Sequence, residues 1–211
     1  MSTQRYLIAC GGHGRVVLDA LLASGNTVNG IIDAQLEVGS LIFGIPVVGN
    51  DDLIKTLDPK KTELINGLGS TKSTQARQEI YNGWLNLGFK FIGVQHPSAT
   101  IGSECQVCES TQIMAGAVLQ NRVCVGENVV INTRASVDHD VVISDHCVIS
   151  PGAIISGSVK IGRGSFIGAG AVVIQGIEIG DNCVIGAGAV VRHNVKDSAI
   201  VVGNPAKQLD N

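Results

Sequence analysis

The chain has 211 residues, with 15 Lys and Arg against 18 Asp and Glu for a net charge of −3, and aromatics at 3%. That balance excludes a nucleic-acid partner held by phosphate neutralisation or base stacking. Mean hydropathy is +0.29, yet the longest charge-free runs, 146–159 and 164–177, are 14 residues each and broken by Gly and Ser, too short for a membrane-crossing helix.

In chain order, an apolar strand is expected over 6–10, followed by Gly11-Gly12-His13-Gly14 and a helix carrying Val16, Val17, Leu18, Leu21 and Leu22 at helical spacing. Strands follow at 28–32, ending in Asp33, and at 45–48, with a helix beginning near Asp51. A strand at 63–66, a Gly67-Leu68-Gly69-Ser70 turn, a helix over 73–87 and a strand over 89–94 complete the first part. Strands alternating with helices predict a small parallel α/β domain. A strand–glycine–helix element points unpaired backbone N–H groups and a positive helix end at one place, where phosphate binds. Asp33, at the end of the next strand, stands where a nucleotide's base or ribose is contacted. A purely structural glycine turn, with His13 capping the helix, is the alternative for the same residues.

From Ile101 every sixth residue to Val191 is Ile, Val or Leu, without insertion, and the residue four further on is always small or β-branched. A period of six over 101–196 predicts short strands joined by tight turns, three units to a turn of a triangular coil. Gly102, Gly126, Asn132, Gly162, Gly168, Gly180 and Gly186 are expected to supply the turns. Cys105, Cys147 and Cys183 fall in the small interior series and read as packing residues. Cys105 and Cys108 form a C-x-x-C with no second pair at zinc spacing, so no metal is expected. No basic-then-apolar segment opens the chain, and the six Cys are expected as reduced thiols in the cytoplasm. His146 and His193 read as turn residues. Asp138-His139-Asp140 places a histidine between acids at a coil corner, suited to a general base if a carboxylate fixes its tautomer, or else a solvated polar turn.

These residues together resemble the NeuD/PglD-type acyltransferases. The likeness is carried by Ala9 to Gly14, Ile31-Ile32-Asp33, Asn132, Asp138-His139-Asp140, Ser150-Pro151-Gly152-Ala153, Ser156-Gly157 and Val202-Gly203-Asn204-Pro205-Ala206-Lys207. It implies a Rossmann-like α/β half-domain over 1–97 that binds a nucleotide sugar. A left-handed parallel β-helix of hexapeptide repeats over 98–211 would bind acetyl-CoA. It further implies a homotrimer with acetyl-CoA between neighbouring coils and no bound metal. His139 is then the base, tuned by Asp140 with Asn132 nearby. The Gly157 amide polarises the thioester, and the backbone at Ala169 and Ala187 holds the pantetheine arm. Gly11, Gly12, His13, Asp33 and Gly69 match the nucleotide-sugar positions. The family often has a second histidine nine residues after the base, where this chain has Val148.

The activity so implied is direct acetyl transfer to the amine of a nucleotide-linked 4-amino-4,6-dideoxy sugar, with UDP the expected carrier, in surface-glycan synthesis. The alternatives are O-acetylation of a sialic-acid-type sugar, and a nucleotide-binding scaffold without catalysis, against which the His139-Asp140 pair speaks.

Overall fold

The computed structural model describes residues 3–209. The first part comprises β1 (Gln4–Ile8), α1 (Gly12–Ala23), β2 (Gly30–Ile32), β3 (Leu41–Ile42), β4 (Ile45–Gly49), α2 (Asp51–Ile54), β5 (Thr62–Asn66), α3 (Gln75–Asn86) and β6 (Lys90–Phe91). They form one sheet in the order β3-β4-β2-β1-β5-β6, parallel except for the β3–β4 edge hairpin. Alternation along the strands buries both faces. Leu7, Ile31, Val47 and Ile65 pack with Val17, Leu18 and Leu21 of α1, while Ile8, Ile32 and Leu64 pack with Ile54, Tyr81 and Phe91. The helix expected near Asp51 is a single turn, and Pro59 follows it at the start of a 3-10 turn.

The expected strand over 89–94 divides at Gly93, where a Cβ would overlap the backbone of Thr111. Its second piece, β7 (Val94–Gln95), pairs with Gln112–Ile113 and already belongs to the coil. The seam between the two parts therefore lies before the 97/98 boundary read from the sequence, whose outer limits, 1 and 211, fall outside the described residues.

The coil is a stack of short strands in three sheets, parallel except where Lys207–Gln208 pairs antiparallel with Ile200–Val202 at the end of the first. The first holds β7, Gln112–Ile113, Val130–Ile131, Val148–Ile149, Phe166–Ile167, Val184–Ile185 and Ile200–Val202. The second runs from Thr100–Ile101 to Val190–Val191 and the third from Gln106–Val107 to Glu178–Ile179. Val130 pairs with Val148 and Val148 with Phe166, three hexapeptides apart. Both six-residue series point inward: from Ala117 to Ala189 their apolar members make one continuous core, with Cys147 and Cys183 inside it.

The turns differ from expectation. The left-handed backbone lies at the third residue after the interior aliphatic in most units, as at Arg122, Asn128, Arg134, Asp140, His146 and Gly152. Gly102, Gly126, Gly162, Gly168, Gly180, Gly186 and Asn132, one residue after the aliphatic, do not have it. Those glycines are small because the next coil presses on them: a Cβ on Gly168 would lie 2.5 Å from the Ala187 amide nitrogen. They serve close approach between coils, not turn conformation.

The α/β domain covers the outward face of the first coil sheet. Ile92, Val94 and Met114 join the core beneath α1, and Val130, Val148 and Phe166 form an apolar strip of their own. Polar ties flank it: Thr74 Oγ1 donates to the Gly164 carbonyl (2.7 Å), and the Tyr81 hydroxyl meets Ser110 and Glu127 (3.2 and 3.1 Å).

Candidate active site

Two cavities meet at the glycine turn. One, of about 470 Å³, lies over Gly11, Gly12, Arg15, Asp33, Leu36 and Asp51. The other, of about 450 Å³, lies at the junction of the domains. Its walls are Gly11 to His13, Gly67 to Thr71 and Arg77 on one side, and Val130, Asn132, Val148, Ser150 and Pro151 of the coil on the other. Gly11 caps α1 without a side-chain bond, and the first turn of the helix opens with Arg15 N–H donating to the Gly11 carbonyl (3.0 Å). The N–H groups of Gly12, His13 and Gly14 are thus left without helical acceptors.

The glycines of this turn separate into two kinds. A Cβ on Gly14 or Gly67 would enter the Ala9 carbonyl oxygen, so both are fixed by helix–strand packing. A Cβ on Gly11 or Gly12 would meet nothing within 4 Å, and neither has a left-handed backbone. Among the described residues nothing requires those two positions to be bare, and both border the cavities. Gly69 is held close to His13, whose Cβ would lie 3.0 Å from an added one.

Asp33 does more for the turn than its sequence position conveys. Its Oδ2 accepts from Cys10 N–H (2.7 Å), and its Oδ1 from the N–H groups of Gln35 and Leu36 (2.8 and 3.1 Å). It therefore ties the glycine turn to the loop after β2 while lining the first cavity. His13 does not cap α1; it reaches across the seam, its Nε2 3.0 Å from Gln112 Oε1. Gln112 Nε2 donates to the Asn66 carbonyl (2.7 Å), which fixes the amide and leaves His13 with its proton on Nε2 and a bare Nδ1. Burial, then the charge of Arg77, pushes the His13 imidazole down to about 4, so it is neutral near pH 7.

The triad around His139 stands elsewhere. Asp138 Oδ1 accepts from His139 N–H (2.8 Å), and Asp140 Oδ2 lies 2.7 Å from Nδ1. Arg122, one coil below, holds the other carboxylate oxygen of Asp140 (2.5 Å). The hydrogen bond to His139 and then the Arg122 guanidinium hold the Asp140 carboxyl below the usual range. A carboxylate on Nδ1 leaves Nε2 as the lone pair available to a substrate proton. That ring rests on Gly157, where a Cβ would lie 2.6 Å from both Cε1 and Nε2.

The expected site residues therefore fall on two edges of the prism. Asn132, Ala169 and Ala187 follow strands of the first sheet and share the edge beside the junction cavity, which also gathers Gly11, Gly12, His13 and Gly69. Asn132, expected toward acetyl-CoA, turns its Oδ1 to Thr133 N–H (2.7 Å) and lines that cavity. His139, Asp140 and Gly157 follow strands of the second sheet, on the next edge round. Val148, in place of the second family histidine, faces the junction cavity from the first sheet. Arg77, Gln112 and Arg122 are not among the site residues expected from the sequence, and Ser70 stands there only as the last residue of the Gly67-Leu68-Gly69-Ser70 turn. Only Arg122 had a signal there, standing three hexapeptides before Asp140. No group of three or more His, Cys, Asp or Glu able to hold a metal occurs among the described residues. Among them, no helix is long and apolar enough to cross a membrane.

An α/β domain with a glycine turn, docked on a hexapeptide coil that presents a carboxylate-held histidine, defines a hexapeptide-repeat transferase. Residues 6–83 match the family model described as PglD N-terminal domain, and 158–193 match bacterial transferase hexapeptide (six repeats). A histidine-to-asparagine variant of perosamine N-acetyltransferase from Caulobacter crescentus, solved with CoA and GDP-perosamine, is 32% identical with a TM-score of 0.91, over 99% of this chain and 97% of that one. The acetyltransferase domain of PglB from Neisseria gonorrhoeae FA1090, in complex with acetyl coenzyme A, is 35% identical (TM-score 0.89, 99% and 100% covered). WeeI from Acinetobacter baumannii AYE is 25% identical (TM-score 0.87, 99% and 100% covered). No curated protein sequence matches the chain. The chain belongs to the PglD/NeuD-type sugar acetyltransferases, and its coil is their left-handed parallel β-helix. It is an acetyl-CoA-dependent acetyltransferase.

Proposed function

We propose that the chain transfers the acetyl group of acetyl-CoA to the amine of a nucleotide-linked 4-amino-4,6-dideoxy sugar, with UDP the expected carrier, for surface-glycan synthesis. The observation that carries this reading is the junction cavity, open to the glycine turn on one side and to the coil on the other. A nucleoside over Asp33 extends its sugar across Gly11 and Gly12 toward Asn132 and Ser150. The relative from Caulobacter crescentus, with CoA and GDP-perosamine bound, supports the amino-sugar class.

We further propose that the working unit is a homotrimer. Between the cavity edge and the His139 edge lies the outward face of the second sheet, carrying Val118, Ile154, Val172 and Val190, with Ile154 47% exposed. Three prisms that turn this face to a common axis bury it and bring the cavity edge of each against the His139 edge of the next. Acetyl-CoA lies in that cleft, along the backbone at Ala169 and Ala187. The sugar amine attacks the thioester carbonyl, and His139 Nε2 takes its proton while Asp140 holds Nδ1–H. The Gly157 N–H, which has no intrachain acceptor among the described residues, steadies the tetrahedral oxyanion before CoA leaves as thiolate.

The test is thiol release from acetyl-CoA with UDP-, GDP- and dTDP-linked 4-amino-4,6-dideoxy sugars. Turnover with one of them and an acetamido product are expected. Thiol release with none, or acetylation at a hydroxyl, overturns the reading.

A further inference from the structure

The junction cavity holds a charge that the chain does not answer. Arg77 of α3 is 1% exposed, and its Nη1 donates to the carbonyls of Asn66 and Leu68 (2.9 and 2.8 Å). Among the described residues its Nε and Nη2 have no partner, and neither does the buried Ser70 Oγ on the same cavity wall. The ion pairs of the described residues all involve other cations. A guanidinium removed from water without a counter-ion is costly to keep, and two carbonyl acceptors do not cancel its charge. A neutral sugar would satisfy donors but leave the charge standing; an anion does both.

We propose that Arg77 is the counter-charge for the diphosphate of a nucleoside diphosphate seated in the junction cavity, with Ser70 Oγ and the first-turn N–H groups of α1 as its further donors. This rests on the nucleotide-sugar reading above and names where the phosphates go. The two cavities share Ala9, Gly11, Gly12 and Leu68, so a nucleoside over Asp33 delivers its phosphates across the bare glycines to Arg77. Burial, which pulls the guanidinium down to about 9, is the stress that a bound dianion relieves.

Calorimetric titration of the full chain with inorganic pyrophosphate, UDP, GDP, uridine and guanosine tests it. Pyrophosphate is expected to bind and to compete with the preferred diphosphate. Arg77→Met is expected to weaken pyrophosphate and diphosphate about tenfold or more while leaving the nucleoside unchanged, and Arg77→Lys to recover part of the loss. Ser70→Ala, which removes only a hydroxyl, is expected to cost about three- to tenfold, and decides the matter if Arg77→Met does not fold. Wild-type pyrophosphate affinity in a folded Arg77→Met or in Ser70→Ala overturns the proposal, as does failure of the native chain to bind pyrophosphate at millimolar concentration. Pyrophosphate held through Arg77 without acetylation of any amino-sugar nucleotide keeps the anion seat and removes the proposed substrate. Acetylation with an unchanged nucleotide KM in Arg77→Met does the reverse.

Discussion

The edge of the coil that carries Asn132, Ser150 and Pro151 and the edge that carries His139 are built from one repeat and are chemically unlike. The first is walled in by a second domain and borders a cavity with a buried cation, a neutral imidazole and bare helix N–H groups. The second is open, with the His139 side chain 52% exposed and its partners Asp140 and Arg122 at the surface. On the proposed mechanism one edge holds the ligand and the other moves a proton, with a face of the prism between them. A single chain would then contain two half-sites.

The strongest way to break this division is to remove the proton acceptor alone. His139→Ala is expected to lower turnover by roughly 10²- to 10⁴-fold with nucleotide affinity unchanged. Steady-state kinetics beside calorimetry checks both halves, and a matching loss of nucleotide affinity would place the two functions on one edge.

Next in size is recovery by mixing. Gly12→Leu should fold, since a Cβ there meets nothing, and should fill the cavity so that its homotrimers are inactive. Trimers refolded from equal amounts of Gly12→Leu and His139→Ala chains are expected to regain about a quarter of wild-type activity, because a site then draws its intact cavity from one chain and its histidine from the next. If the mixture stays as inactive as either parent, each site is completed within one chain and the three-fold arrangement fails.

A third change sharpens the His139 edge. The Cβ of Gly157→Ala would lie 2.6 Å from the imidazole, so the ring must tilt away from Asp140. Displacing a reacting group by about 1 Å costs on the order of 10²-fold in rate. That loss is expected in kcat, whereas Gly152→Ala, which has open space but a left-handed backbone (φ +67°), should show itself in thermal stability. Equal kinetics for both variants would remove the argument that the ring rests on Gly157.

Counting in eighteens from the sequence would have sorted most of these residues. Asn132 and Ser150 share one edge and His139 and Gly157 the other, and Arg122 falls beneath Asp140, because three hexapeptides return the chain to the same corner. The family likeness named the site residues without this arithmetic, and so left the two edges merged. Spacing alone did not reveal which corner residue takes the left-handed backbone: a glycine placed for close approach and one placed for conformation look the same in one dimension. Arg77 was illegible for another reason. On a helix whose other buried residue is Tyr81, an arginine reads as a solvent-facing cation, and only the coil packed across the seam turns that position into an interior. Asp33 was legible as a residue at the end of β2, but not as the clamp on the glycine turn, since that depends on the loop from Cys10 passing within 2.7 Å.

The smallest effect concerns the walled edge and is read in stability. The His13 imidazole falls from an ordinary 6.5 to about 4 in the folded chain, by burial and then by Arg77. Below pH 6.5 the unfolded chain takes up a proton at this residue that the folded chain refuses, so stability from this group is full above pH 6.5 and drains as pH falls toward 4. The loss amounts to about 2 kcal/mol between pH 6.5 and 5, or roughly 4–8 °C in melting temperature for a chain of this size. His146, lowered in the same sense by burial and then by Arg163, adds to the slope of the native chain. His13→Gln removes only the first contribution while keeping an amide long enough to meet Gln112. Its melting temperature is therefore expected to fall less steeply with acid than that of the native chain, the curves converging above pH 7. Parallel curves would mean that His13 is protonated in the folded chain as readily as in water, and the cavity would then be wet and open like the His139 edge rather than walled.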